Sequence, residues 1–334
     1  MKITALVRLM SLVLRLRSVG GPDTSADASH TLEIRDLVAP SGGRYHLFMP
    51  VSPAGITVIA AHGVTLDGYN DFRVIQFARA LAVSGVACVL PCLDHIANGS
   101  FNTEDLELIG ELIGMYQQSE TNRLGLIGFS YAGSYVLTAA AREELAAKVS
   151  FVITFGACYS IAESFQVSES FKPLPETDLE WDRYIHFALV GVHRFYREMG
   201  IPSHVAAECE NLLRDYCSHY SNEFKRQFYQ SRLASYEPLE FYRTRVEQDS
   251  LDQLSPKGKL AGIKCRVSLI HGIDDHMIPA QESRKIHAEL NLAPRPTGSG
   301  LLVTGLIGHV HPGPIGLFEL LQFVRSLRLI FDLP

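Results

Sequence analysis

Three short runs of the sequence carry residues able to do chemistry. The first is Gly128-Phe129-Ser130-Tyr131-Ala132-Gly133. The apolar stretch Leu124–Ile127 leads directly into it, and a stretch rich in small residues, Ser130–Arg142, leads out with helical character. A strand that becomes a helix within so few residues forces the middle residue into a strained backbone conformation and lifts its side chain above the sheet. Bulky residues two positions before or after would collide there, and Gly128 and Ala132 are small. A serine so placed is a candidate nucleophile. The N–H groups at the helix start favour the negative charge that develops when it attacks a carbonyl. The plainer role for such a serine is only to cap its helix.

A serine nucleophile needs a base to take its proton, and the base needs a carboxylate to fix its tautomer. The second run, His271-Gly272-Ile273-Asp274-Asp275-His276-Met277-Ile278-Pro279, offers two adjacent carboxylates after the apolar stretch Arg266–Ile270. The third, Thr304-Gly305-Leu306-Ile307-Gly308-His309-Val310-His311, offers two histidines on a glycine-containing loop after Leu301–Thr304. Loops at the C-terminal ends of parallel strands are where such groups converge. His271, Asp274, Asp275 and His276 also invite a metal, but the run is too local to close a site and has no partner cluster.

The elements that must position these runs alternate along the chain. Ile56–Ala61, Val86–Leu90, Leu124–Ile127, Val152–Phe155, Arg266–Ile270 and Leu301–Thr304 are short apolar runs that predict strands, most of them buried on both faces. Between them, helical spacing predicts helices over Asp71–Val83, from Thr103 onward, over Ser130–Arg142, over Ala280–Leu290 and over Ile315–Leu327. Two further strand-like runs, Leu32–Leu37 and Tyr45–Met49, flank the turn Ser41-Gly42-Gly43. This rhythm implies an α/β fold, a mostly parallel central sheet flanked by helices. It stops near Tyr159 and resumes near Ile263. The intervening pattern is helical, and the capping box Thr177-Asp178-Leu179-Glu180 predicts a helix running to Gly200. The expected organisation is an N-terminal segment and linker over 1–28, a core over 29–158 and 264–334, and a helical insertion over 159–263.

With these runs in this order, the sequence from about Ile56 to its end resembles the α/β-hydrolase family, in its serine esterase and serine aminopeptidase-like branches. The resemblance implies Ser130 as nucleophile and, from the H-G-x-x-D-x-x-[VI]-P turn, Asp275 as the acid, with Asp274 as the alternative. It implies His309 as the base, with His311 two residues on. The run His62-Gly63-Val64 resembles the family's oxyanion turn, so the backbone N–H groups of Val64 and Tyr131 would receive the oxyanion. His62 itself is expected to tie down its loop. The insertion would be a cap, and its aromatic residues, Trp181 among them, would suit an uncharged, fairly apolar ester. The activity implied is carboxylic ester cleavage, with a peptidase or amidase of the same fold as the alternative. The run Pro91-Cys92-Leu93-Asp94 lacks the D-x-R-G-x-G-x-S pattern of lysophospholipase-like members. A non-catalytic binding protein of this fold would be expected to have lost a member of the triad.

Composition sets bounds. Charged residues are 20% of the chain and the net charge is −6, which gives no broad attraction for nucleic acid. Acyl transfer to water needs neither metal nor cofactor, and the partner expected is a small-molecule ester or amide. Six cysteines without a C-x-x-C pair are expected as free core thiols, which favours a reducing, cytoplasmic compartment. Residues 3–16 are mostly apolar but interrupted by arginine. Ala26 and Ala28 imitate a signal cleavage site, yet Arg15 and Arg17 stand where a signal peptide is uncharged. Arg8 and Arg15, seven apart, share one helix face, which makes residues 1–17 a candidate for weak contact with a membrane surface.

Overall fold

The structure, a computed structural model, describes residues 3–16, 32–65, 67–97, 99–117, 122–164, 211, 223–224, 227, 230–231, 248–275, 277–292, 298–305 and 317–331. Eight strands form one sheet in the order β1-β2-β4-β3-β5-β6-β7-β8. The hairpin of β1 (Leu32–Val38) and β2 (Arg44–Pro50) is closed at Ala39–Gly43, where Gly42 takes a left-handed φ of 93°. β2 runs antiparallel to β4 (Ala87–Pro91). Every later pairing is parallel, through β3 (Ile56–Ala61), β5 (Arg123–Phe129), β6 (Phe151–Phe155), β7 (Arg266–Gly272) and β8 (Ser299–Thr304). The expected mostly parallel sheet is therefore present, and its parallel part begins where continuous apolar runs replace alternating ones.

Alternate residues of each strand enter two separate cores. Ile59, Leu126, Val152 and Leu269 join α4 (Thr103–Met115), α5 (Tyr131–Ala141), α7 (Gln248–Leu254) and α8 (Ala280–Leu290). Val58, Ile127, Ile153 and Ile270 join α1 (Ile3–Leu16), α2 (Phe72–Val83) and α9 (Leu317–Leu327). This is the period-two alternation of strands covered on both faces. Two short helices, α3 (Asp94–Ala97) and α6 (Glu143–Ala146), have too few residues to show a periodicity in sequence.

Local chemistry sets the helix ends. The Asp71 carboxylate accepts from the Arg73 N–H at the start of α2, and Gly85, at φ 90°, follows the end of that helix. The Asn102 side chain caps α4 by accepting from the Glu104 N–H, a bond worth about 1 kcal/mol.

Two regions read as peripheral in sequence touch the core. Leu9, Leu12 and Val13 of α1 are buried in the second core, so part of the segment 1–28 is a docked helix. At the ends of the 159–263 insertion, Ile161, Leu251, Leu254 and Leu260 belong to the first core. The helix expected over Thr177–Gly200 lies outside the described residues. Cys88, Cys92 and Cys158 are free and buried, and Cys265 is buried; Cys209 and Cys217 lie outside the described residues.

Candidate active site

Ser130 stands between β5 and α5 with φ 54° and ψ −133°. That backbone region is strained for any residue with a Cβ. The surroundings hold it there. The Ser130 N–H donates to the Phe155 carbonyl (2.7 Å), and the Ser130 carbonyl accepts from the Gly133 N–H (2.9 Å). A Cβ on Gly128 would lie 2.6 Å from the Ala132 carbonyl oxygen, and one on Gly133 would lie 2.7 Å from the Ala157 Cβ. The turn is thus tight because the start of α5 lies against both the end of β5 and the residues just after β6. Sequence reasoning singled out Gly128 and Ala132. Gly133 and Ala157 are the further small residues that the packing needs. Beneath the turn, Phe129 stacks on Phe155 (5.1 Å) and meets Phe77 edge-on (4.9 Å), which pins the strand end from the opposite face.

The turn after β3 comes directly against this serine. A Cβ on Gly63 would lie 2.8 Å from the Ser130 Cβ. Val64, half-buried against the first core, follows Gly63 in the chain as Tyr131 follows Ser130. His62 is fully buried. Its Nδ1–H donates to the Gly63 carbonyl (2.9 Å), and its Nε2 accepts from the Leu93 N–H (3.3 Å), which ties the ends of β3 and β4 together. Burial pushes its pKa down against the smaller opposing pull of the Gly63 carbonyl, so the ring is held neutral. Farther along the same loop, the Thr65 hydroxyl donates to the buried Asp71 carboxylate (2.5 Å), which also receives the Arg73 guanidinium (2.6 Å). Burial alone would raise the Asp71 pKa; the Arg73 and Thr65 bonds outweigh it and hold the carboxyl below its usual range. Asp71 thus ties the loop after Gly63 to the start of α2; in the sequence it stands only as the first residue of an expected helix.

Tyr131 is buried in the first core. It packs edge-on against Phe101 (5.0 Å) and its hydroxyl bonds to the Ser164 Oγ (2.9 Å). Phe101 has φ 43°, and with Ser130 it makes the two positive-φ residues other than glycine among those described. Ser164 lies just inside the insertion, whose two ends are clasped. The Lys257 N–H donates to the Tyr159 carbonyl (3.2 Å), the Ile161 N–H to the Ser255 hydroxyl (2.8 Å), and Lys257 pairs with Glu163. Two carboxylates of α8 receive both ends. Glu282 accepts from the Tyr159 N–H (3.0 Å), and Glu289 from the Tyr159 hydroxyl (2.7 Å) and the Gly258 N–H (3.0 Å).

The acid loop follows β7. Asp275 is buried and Asp274 is exposed. Asp275 Oδ1 accepts from the N–H groups of Met277 and Ile278, each at 2.9 Å. Its Oδ2 lies 3.4 Å from His271 Nε2, whose proton is directed to the Ile278 carbonyl (2.7 Å). The Ser283 hydroxyl serves the other His271 nitrogen (2.6 Å). The His-Gly pair of the motif is thus a buried brace for the loop. The Ile273 N–H donates to the Thr304 carbonyl (2.9 Å), so β8 ends beside the acid loop and the chain enters residues 306–316 from there. His309, His311 and His276 lie outside the described residues. Among the described residues, no group of three or more His, Cys, Asp or Glu is arranged to hold a metal ion.

No protein-family model matches the sequence, and no curated protein matches it. Solved structures do. DcsB in complex with its substrate analogue aligns at a TM-score of 0.53 and 13% identity, covering 90% of this chain and 98% of that one. A puromycin-hydrolyzing peptidase of Mycobacterium tuberculosis aligns at 0.50 and 13%, covering 93% of this chain and 40% of that one. An acylaminoacyl peptidase of Pyrococcus horikoshii aligns at 0.48 and 15%, covering 84% of this chain. This chain spans 38% of that peptidase's length. Likeness at this identity establishes the fold, which together with the sheet order is that of the α/β-hydrolases.

Proposed function

We propose that this protein, a chain with the α/β-hydrolase fold, is a serine hydrolase that cleaves a carboxylic ester through an acyl-enzyme. The observation that carries the proposal is Ser130, held at φ 54° on a strand-to-helix turn with the Gly63 backbone against its Cβ. A backbone strained at one serine, with the surrounding packing arranged to keep it so, points to a side chain that must be presented.

In this mechanism His309 takes the Ser130 proton as the hydroxyl oxygen attacks the ester carbonyl. The carbonyl oxygen, now negative, is received by the N–H groups of Val64 and Tyr131. Asp275 accepts from the imidazole and stabilises the imidazolium. His309 then gives its proton to the departing alkoxide. Water, deprotonated by the same imidazole, attacks the acyl-enzyme and releases the acid. Residues 159–263 serve as the cap that selects the acyl group. A second reading, amide or peptide cleavage by the same groups, draws on the likeness to the puromycin-hydrolyzing peptidase. It changes the leaving group from alkoxide to amine and leaves the residues in their roles.

The test is labelling with a fluorophosphonate, followed by ester and aminoacyl-amide screens. Labelling of the wild type that vanishes in Ser130→Ala and His309→Ala and survives in His311→Ala is the expected result. Failure of the folded wild type to label would overturn the proposal and favour a non-catalytic binding protein. Turnover of amides faster than of matched esters would select the second reading.

A further inference from the structure

Helix α1 is apolar on two opposite sides. Leu9, Leu12 and Val13 are buried in the core shared with α2 and α9, and the Arg8 guanidinium on the same helix donates to the Ser52 carbonyl (3.3 Å). Facing away are Val7 (61% exposed), Met10 (45%) and Leu14 (60%), with Leu6 (38%) at their edge. Positions 7, 10 and 14 follow the i, i+3, i+7 spacing of a single stripe. A surface helix ordinarily turns polar residues to water; one that is apolar on its outer side as well has a second partner. Leu321 of the adjoining helix α9 is likewise exposed.

Charge identifies the partner. Residues 1–22 contain Lys2, Arg8, Arg15 and Arg17 and no acidic residue, a charge of +4. The rest of the chain therefore carries −10, which with +4 gives the chain's −6. Arg15 is exposed beside Leu14, at the end of the stripe. A second copy of this chain fits poorly, because a two-fold contact through α1 would bring the same cations together. An anionic lipid surface satisfies both features: the stripe enters the boundary between headgroups and acyl chains, and Arg15 at its end meets the phosphates. The helix has 14 residues, about 21 Å of length, which is too short to cross a hydrocarbon core of about 30 Å. No helix among the described residues is long and apolar enough to span.

We propose that the outer face of α1 docks the protein onto the surface of an anionic membrane, lying in the interface rather than crossing it. This docking is independent of the role assigned to Ser130. The test is co-sedimentation of the full chain with phosphatidylcholine vesicles and with vesicles containing phosphatidylserine. The expected result is binding to the anionic vesicles that weakens with salt and falls at least about tenfold in Val7→Glu/Leu14→Glu, whose exposed positions leave the melting temperature unchanged. Should that pair unfold the protein, Leu14→Gln alone reads the same loss at smaller size. Three outcomes would overturn the proposal. One is a wild type that binds neither vesicle. Another is binding unchanged in the variants. The third is a dimer in sedimentation velocity that the variants split.

Discussion

The proposed nucleophile and acid sit at the ends of β5 and β7, two places apart in one sheet, and are held by opposite means. Ser130 is held through its backbone, by two main-chain hydrogen bonds and by close packing. Gly63, Gly128 and Gly133 leave no room for a Cβ, and the Ser130 hydroxyl makes no capping bond to α5. Asp275 is held by hydrogen bonds, with one oxygen anchored to two backbone N–H groups and His271 braced behind it. The contrast has a chemical root. A side chain as short as serine's is aimed by its backbone, so the backbone carries the constraint. A carboxylate has two oxygens and can commit one to the loop while the other serves the imidazole. The elbow should therefore respond to side-chain size, and the acid loop to polarity.

The largest expected effect breaks the acid side without disturbing its scaffold. In Asp275→Asn the amide oxygen still accepts from Met277 and Ile278, so the loop and the melting temperature stay. Ester kcat/KM should drop by about 10³–10⁴-fold, because the imidazole loses its anionic partner. Asp274→Asn, at the exposed neighbour, should stay within about twofold. The reverse pattern in a steady-state assay would exchange the two assignments. The elbow answers to volume instead. A methyl at Gly63 would lie 2.8 Å from the Ser130 Cβ, so Gly63→Ala should displace the serine or the oxyanion turn. The expected loss in kcat is about 10²-fold, with about 1–3 kcal/mol of stability. Gly300→Ala, which meets nothing within 4 Å, is the control, and equal losses in both would remove the steric account.

How much of this was legible in the sequence follows from the same contrast. Elements that depend on local pattern could be read: Ile56–Ala61 and Ala280–Leu290 have the bounds expected, and the strand–Ser130–helix turn is where the small residues put it. What depends on which segments meet could not. Nothing local to Gly63 tells of Ser130 67 positions later, or places β3 between β4 and β5. Nor does anything local give Phe101 a left-handed backbone beside Tyr131. The choice between Asp274 and Asp275 rested on motif spacing; burial of one and exposure of the other is a tertiary fact.

A smaller effect sharpens the account of buried carboxylates. Asp105, on α4, is also buried and also accepts from consecutive N–H groups, Ile96 at 2.6 Å and His95 at 3.4 Å. Burial dominates there and pushes its pKa up to about 6 from 3.8. Because the folded state holds this proton more tightly than the unfolded chain, the group weakens the fold as pH rises from about 4 through about 6, by about 2–3 kcal/mol in all. Asp105→Asn keeps an acceptor for Ile96 and removes the charge. Urea midpoints measured from pH 4 to 8 should lose that decline and be higher than wild type at pH 8. A variant curve parallel to wild type would mean that Asp105 titrates as an ordinary carboxylate.

The smallest effect isolates the strain at the elbow. The φ and ψ of Ser130, 54° and −133°, lie in a region open mainly to glycine and costing other residues about 1–3 kcal/mol. Ser130→Gly removes that cost, while the extra freedom of glycine in the unfolded chain takes back about 0.5–1 kcal/mol. The net expectation is an inactive protein more stable by about 1 kcal/mol. Ser130→Ala keeps the Cβ, so it should be equally inactive and no more stable than wild type. The pair separates chemistry from shape, since both lose the hydroxyl and only one loses the strain. Equal melting temperatures for the two variants would mean that the backbone relaxes around any side chain, and that the glycines around Ser130 do not enforce its conformation.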